Sequence, residues 1–127
     1  MSHFILEDLR KSAGCTADYD EYFDSQLMMH ANTLFALLIQ VGIGPETGFK
    51  VEDEGTTWDE YYAQCKNPDD PKLKMVESYI CIKTRILFDP PTNSTVLQSL
   101  NDTAKELEWR LNVTADTNEQ EAGENSK

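Results

Sequence analysis

The chain has 127 residues, which at about 100 to 200 residues per domain predicts a single domain. Its 23 acidic and 11 basic residues give a formal net charge of -12, and this excess argues against a surface that grips nucleic acid or an anionic membrane. Cys15, Cys65 and Cys81 lie far apart in the sequence, so we expect free thiols in a reducing cytoplasm and no disulfide framework.

The N-terminal third predicts two helices. Residues Phe4 to Ser12 carry Ile5, Leu6 and Leu9 at roughly helical spacing. An acidic segment then leads into an apolar stripe of helical period, which predicts a second helix from about Asp20 to Val41. The glycines and the proline of segment 42–48 end that helix, because the glycines relax the backbone and proline lacks an amide donor.

A long loop and a short helix are predicted next. Phe49 and Val51 alternate with charged residues as far as Gly55, which permits a short extended stretch within a loop over residues 42–57. Thr57 followed three residues later by Glu60 has the pattern of a capping box, in which each side chain satisfies a backbone donor of the other. The sequence therefore predicts a helix over residues 58–64.

The C-terminal half predicts two longer helices. Asp70-Pro71 begins the first and Asp89-Pro90-Pro91 ends it, because a residue before proline is disfavoured in the helical region. A capping-box pattern from Thr95 to Gln98 precedes the second helix, expected from about Val96 to Asn112. We expect these core residues: Leu34, Leu38, Val76, Ile80, Leu87, Leu100, Leu107 and Leu111.

The predicted fold is all-α, a small bundle of four to five helices with one long loop. Residues 1–113 form the helical domain. Residues 114–127 contain no aromatic residue and no aliphatic residue larger than alanine, so they are expected to be a disordered acidic tail. The longest apolar run, Leu34 to Ile39, is too short to span a membrane, and we expect synthesis in the cytoplasm.

The sequence gives little support for a motif that binds calcium, another metal or phosphate, or that supplies a catalytic nucleophile. The aspartates at 18, 20 and 24 resemble the start of a calcium loop, but Phe23 stands where glycine is required. The glycine-rich segment after the second helix lacks the Gly-Lys-Ser/Thr ending of a phosphate cradle. Two histidines cannot supply a metal cluster by themselves, and no strained nucleophile motif is present. We therefore expect no enzyme activity, no metal and no cofactor.

Several stretches together resemble a known family. They are Asp18 to Asp24 leading into residues 34–44, then Thr57 to Tyr62, Tyr79 to Pro91 and Leu107 to Val113. The most specific are Leu87-Phe88-Asp89-Pro90-Pro91 and Glu108-Trp109-Arg110-Leu111. Over residues 18–113 the chain resembles the head-tail connector, or adaptor, proteins of long-tailed bacteriophages and prophages.

This resemblance implies a structural protein of the virion neck. It implies that the protein forms a ring, expected to be a dodecamer, which docks on the portal protein after DNA packaging. The ring is then expected to carry the next neck protein, such as a head-completion stopper. From the net charge of -12 we further expect genomic DNA to pass through such a ring without sequence-specific binding. The alternatives are another neck component, either a stopper or a tail terminator with more β-structure, and a small cytosolic helical regulator that binds a host protein.

Two sets of residues are the candidate contact sites. Long loops are often functional, so ring contacts are assigned to the loop and the helix after it. The residues are Phe49, Val51, Trp58, Tyr61 and Tyr62. Portal docking is assigned to Arg110, Asn112 and Val113. There the last predicted helix, which has an apolar stripe, is followed by a tail that can become ordered when it binds a partner. Aromatic residues, including Trp109, serve either as core or as interface anchors, with core favoured.

Overall fold

The computed structural model describes residues 4–13 and 23–125, and for residues 113–125 it describes the backbone alone. These residues form helices and no strand, which confirms the predicted all-α bundle. The helices are α1 (Ile5–Ser12), α2 (Asp24–Gln40), α3 (Trp58–Gln64), α4 (Lys72–Phe88) and α5 (Ser94–Asn125). The predicted start of the second helix and its acidic motif, residues 18–22, lie outside the described residues.

The helix starts follow local capping chemistry. Thr57 and Glu60 form the predicted capping box, with Glu60 N donating to Thr57 Oγ1 at 3.1 Å and Thr57 N donating to Glu60 Oε2 at 2.9 Å. Asp70 Oδ1 accepts from Lys72 N at 3.0 Å at the start of α4. The box predicted for Thr95 is wrong, because Asn93 Oδ1 accepts from the amides of Thr95 and Val96 instead. Asparagine is among the preferred residues at this position.

Helix α4 lies at the centre of the bundle. It contacts α1, α2 and α5, while α1 also packs against α2. The α4 side chains Val76 and Ile80 are fully buried in the hydrophobic core. An ion pair between Arg10 and Asp24 further joins α1 to the start of α2. The core is therefore built around α4, as expected for the helix that meets the most neighbours.

The core prediction was right for most of its members. Leu34, Leu38, Val76, Ile80 and Leu111 are buried. Leu100 and Leu107 are half-buried. Leu87 is 48% exposed, so its assignment to the core was wrong. The apolar stripe of α4 continues beyond the part of the helix that its neighbours cover. Near its end the ring of Phe88, which contacts Phe23, packs against the core in place of Leu87.

The C-terminal helix is longer than predicted. It begins at Ser94 and continues to Asn125, although the sequence indicated an end near Asn112 and a disordered tail from residue 114. The tail contains Glu119, Gln120, Glu121 and Ala122, which are good helix formers, and no proline. Extending an existing helix needs no new nucleus, so such a sequence can remain helical without an apolar stripe.

The segment 42–57 is a loop, as predicted, but it contains no strand. The only extended pairing in the described residues is an isolated antiparallel bridge between Phe4 and Thr57. There Ile5 N donates to Thr56 O at 3.1 Å, which joins the start of α1 to the end of the loop. The loop is thus fixed to the bundle at its C-terminal end.

Replacing Ile80 with Ala should lower the free energy of unfolding by about 2–5 kcal/mol, because it leaves a cavity in the fully buried core. The matched control on the same helix is Leu87→Ala, which should cost less than about 1 kcal/mol because Leu87 is 48% exposed. Urea denaturation measures both. Equal losses of unfolding free energy in the two variants would contradict the conclusion that Ile80 lies on the buried face of α4 and Leu87 on its exposed face.

Candidate functional site

Asn32 holds the long loop against α2. Its Oδ1 accepts from Val51 N at 2.7 Å, and its Nδ2 donates to Val51 O at 3.2 Å. The side-chain amide thus pairs with the backbone of Val51 as a neighbouring strand would. The sequence analysis missed Asn32, because the sequence does not indicate which distant backbone group a polar side chain on a helix will bind.

An aromatic cluster fills the space between the loop, α2 and α3. Phe35 lies at its centre, with ring centroids 5.1 Å from Phe49, 5.1 Å from Tyr61 and 6.0 Å from Trp58. Tyr62 lies at the margin, 5.9 Å from the Tyr61 ring. These separations are within the range in which aromatic pairs attract. The cluster fixes the loop to the bundle by packing as Asn32 does by hydrogen bonding.

The structure brings the predicted ring-contact residues together, but mostly inside the subunit. Val51, Trp58 and Tyr61 have exposures of 1%, 0% and 1%, while Phe49 and Tyr62 are half-buried. Their side chains therefore shape the loop rather than cover its outside. The exposed residues of the loop and of the helix after it are Gly42, Glu46, Thr47, Lys50, Glu52, Asp53, Glu54, Gly55, Asp59, Glu60, Ala63 and Gln64.

Two further contacts fix the geometry of this region. The indole Nε1 of Trp58 donates to Asp8 Oδ2 at 2.8 Å, so α3 is joined to α1 as well as to the aromatic cluster. Gly44 adopts a φ of +109°, and a Cβ added there would lie 3.1 Å from the hydroxyl oxygen of Tyr61. A larger residue at this position is disfavoured both by the backbone conformation and by the close approach of Tyr61.

A polar groove of about 820 Å³ lies between the loop and α3. Among its lining residues are Lys50, Glu52, Asp53, Glu60 and Gln64. The carboxylate of Asp53 accepts from Gly55 N, and that of Glu60 accepts from Thr57 N. These carboxylates stabilise the local backbone, so the groove offers a charged surface rather than a set of convergent catalytic groups.

Of the residues predicted to dock on the portal, Arg110 and Asn112 lie on the exposed side of α5. Arg110 is exposed and pairs with Glu106 one turn earlier, at 2.9 Å. Asn112 is exposed, and Val113 belongs to the helical segment described by its backbone alone. Trp109, which the sequence analysis favoured as core, is 63% exposed. A large exposed indole beside an arginine has the composition of an interface anchor.

Helix α5 is held on α4 by a polar network next to this surface. Tyr79 Oη donates to Glu108 Oε1 at 2.8 Å, and Lys83 Nζ lies 3.5 Å from the same oxygen. Burial, together with the Glu108 carboxylate, raises the pKa of the Tyr79 phenol, which therefore stays protonated and donates at neutral pH. Glu108 thus faces α4, while Trp109 and Arg110 face solvent.

Activated nucleophiles and metal ligands were sought in the described part of the chain. Burial raises the pKa of the Cys81 thiol to about 11 and also raises that of Cys65, so neither is a ready thiolate at neutral pH. Residues 4–13 and 23–125 contain no group of three His, Cys, Asp or Glu side chains placed to hold a metal ion. No helix in these ranges is both long and apolar enough to cross a membrane.

Comparison with known proteins gives a family match. The family model described as "Phage connector protein" matches residues 5–118. This range is wider than residues 18–113, over which the sequence resemblance was noted, and includes α1 and more of α5. No curated protein and no solved structure matches the chain.

Replacing Asn32 with Ala should lower the free energy of unfolding by about 1–3 kcal/mol, because both backbone groups of Val51 lose their partner. Hydrogen exchange at the Val51 amide should accelerate. Asn32→Asp is the comparison variant, because it keeps an acceptor for that amide but replaces the donor to Val51 O with a carboxylate oxygen. Equal exchange at Val51 in the wild type and in Asn32→Ala would show that Asn32 does not hold the loop.

Proposed function

Because the chain belongs to the phage connector protein family, we propose that it is a head-tail connector, or adaptor, that forms a ring beneath the portal of a tailed phage. In this role it completes the virion neck after DNA packaging and carries the next neck protein. The role is structural and needs no catalytic residue. The observation that carries the proposal is the family match over residues 5–118, which includes the whole of α1 to α4.

The fold supports this role over the neighbouring neck components. A stopper or a tail terminator was expected to be richer in β-structure, whereas the described residues form helices joined by turns and one long loop. The alternative of a cytosolic regulator predicts no affinity for a portal protein. Portal binding therefore separates the candidates.

The proposed portal-docking surface lies on α5 around Trp109, Arg110, Asn112 and Val113. Among the large apolar side chains that the structure describes, Trp109 is the most exposed, at 63%. Tryptophan and arginine at the centre of an interface commonly contribute more binding energy than their neighbours. The backbone is helical from Ser94 to Asn125, so docking near residue 112 would use a helix and not a segment that must first fold.

The proposed ring contacts at the loop use its outer surface. Phe49, Val51, Trp58, Tyr61 and Tyr62 contribute by holding that surface in place, because they pack within the subunit. The anchoring by Asn32 has the same effect. A loop held in one conformation loses less entropy when it binds a neighbour.

The ring is proposed to let DNA pass without gripping it. Residues 1–113 contain 19 acidic and 10 basic side chains, which gives -9, so the negative charge does not depend on the C-terminal segment. DNA phosphates are repelled by such a surface over roughly the 8 Å Debye length at physiological salt. Contact with the genome would be brief and independent of sequence.

Portal binding is tested by mixing the purified protein with portal rings of the same phage and imaging the complexes by electron microscopy. The wild type should decorate the portal. Truncation after Leu111 should abolish decoration while sparing the fold, and Trp109→Ala should weaken it at least about 10-fold. Thr103→Ala is the control, because Thr103 is exposed on α5 and its hydroxyl donates only to its own helix.

Two results would count against this proposal in different ways. Wild-type protein that never binds portal rings would overturn the connector role and favour the cytosolic regulator. Portal binding that survives both the truncation and Trp109→Ala would keep the role but reject docking through α5.

Affinity for DNA is tested by fluorescence anisotropy with a labelled double-stranded oligonucleotide. At 150 mM salt we expect a dissociation constant weaker than about 10⁻⁴ M, since the protein lacks the cationic surface that drives non-specific binding. Lowering the salt should not produce tight binding. A dissociation constant near 10⁻⁶ M would contradict the passive conduit.

A further inference from the structure

The long loop contains an extended stretch, residues 49–52, that is held along one edge. Its side chains alternate, since Val51 is 1% exposed while its neighbours Lys50 and Glu52 are exposed. In such a stretch the N–H and C=O groups of successive residues also point to opposite edges. Both backbone groups of Val51 bond to the side chain of Asn32 on α2. The edge that faces α2 is therefore occupied.

The opposite edge of this stretch belongs to Lys50 and Glu52. Glu52 N donates to Thr56 Oγ1 at 3.2 Å, so this edge points away from α2 towards the end of the loop. In the part of the chain that the structure describes, the N–H and the C=O of Lys50 have no hydrogen-bond partner. An unpaired donor and acceptor on one edge, with the other edge held, form a template for a further extended chain.

The polar groove between the loop and α3 lies along this edge. Lys50, Glu52 and Thr56 are among the residues that line its volume of about 820 Å³, and none of the lining residues comes from α2. A chain paired with the edge would lie roughly 4.8 Å from it, within the groove. Phe49, which is half-buried, also lines the groove and offers an apolar contact to one side chain of such a partner.

The charge of the groove selects the kind of chain that fits. Its lining includes the exposed carboxylates of Glu52, Asp53 and Glu60 and one exposed lysine, Lys50. Complementary charge favours a partner that carries Lys or Arg, whereas like charge costs binding energy. A second copy of this chain, with its charge of -12, is therefore a poor occupant.

We propose that this groove binds an extended, positively charged segment of another protein, which pairs with the backbone of Lys50 as an added strand. In this mode of recognition the main-chain hydrogen bonds supply affinity and the flanking side chains supply specificity. Asn32 and the aromatic cluster hold the edge in place beforehand, which lowers the entropy lost on binding. The site concerns the groove alone and depends neither on portal docking through α5 nor on ring formation.

The probe is a capped, fluorescently labelled peptide of about six alternating lysine and threonine residues, the usual length of a strand. Fluorescence anisotropy with the isolated full chain should give a dissociation constant of about 10⁻⁴ M or tighter at low salt. A peptide of alternating glutamate and threonine should bind at least about 10-fold more weakly. Hydrogen exchange at the Lys50 amide, followed by NMR, should slow when the lysine peptide saturates the protein. The Glu46 amide, on the same loop but outside the groove, is the control.

Two variants with the same change of charge locate the site. Glu52→Lys should weaken binding of the lysine peptide at least about 10-fold, whereas Glu46→Lys, at an exposed position that does not line the groove, should leave it nearly unchanged. Circular dichroism verifies that both variants are folded.

Three results would overturn the proposal. They are no binding of the lysine peptide up to about 1 mM, equal binding by Glu52→Lys and Glu46→Lys, and a bound peptide that leaves exchange at the Lys50 amide unchanged. The last result would mean that the peptide is held by charge without pairing to the backbone. None of these measurements involves the portal, so failure here is separate from failure of the connector role.

Discussion

The packing of α4 against three other helices is the interaction on which the rest of the structure depends. Helix α4 contacts α1, α2 and α5, and its Val76 and Ile80 are fully buried in the core, so those helices take their positions from α4. The network of Tyr79, Lys83 and Glu108 adds a polar constraint on the rotation of α5. That rotation is what leaves Trp109 and Arg110 on the outside. Interior packing thus decides which surfaces the subunit can offer.

The long loop is part of the folded body rather than a free appendage. Asn32 pairs with its backbone, Phe35 packs on Phe49, and the bridge at Thr57 fixes its end to α1. A loop held in this way has a defined shape before any partner arrives, which lowers the entropy lost on binding. The proposed ring contacts therefore separate into buried aromatic residues that hold the shape and exposed polar residues that meet a neighbour.

The distribution of charge gives the surface distinct regions. Carboxylates dominate the loop, α5 carries charges of both signs, and the outer face of α2 carries none. Two copies that each carry a charge of -12 repel one another, most strongly at low ionic strength. The exposed side of α2 therefore presents an uncharged, largely apolar surface, whereas the loop presents an acidic one.

The sequence by itself determined the helical class, the bounds of α3, the end of α4 and most of the core, because capping boxes, prolines and apolar periodicity act over a few residues. It also carried the family resemblance. Only the tertiary structure decided which aromatic residues are inside, since Trp58 is buried and Trp109 is exposed although both stand in similar helical patterns. The sequence likewise did not predict the hydrogen bonds of Asn32 to the Val51 backbone, the exposure of Leu87 or the continuation of α5 to Asn125. Periodicity shows that a side of a helix is apolar, but which neighbour covers it depends on contacts between residues far apart in the chain.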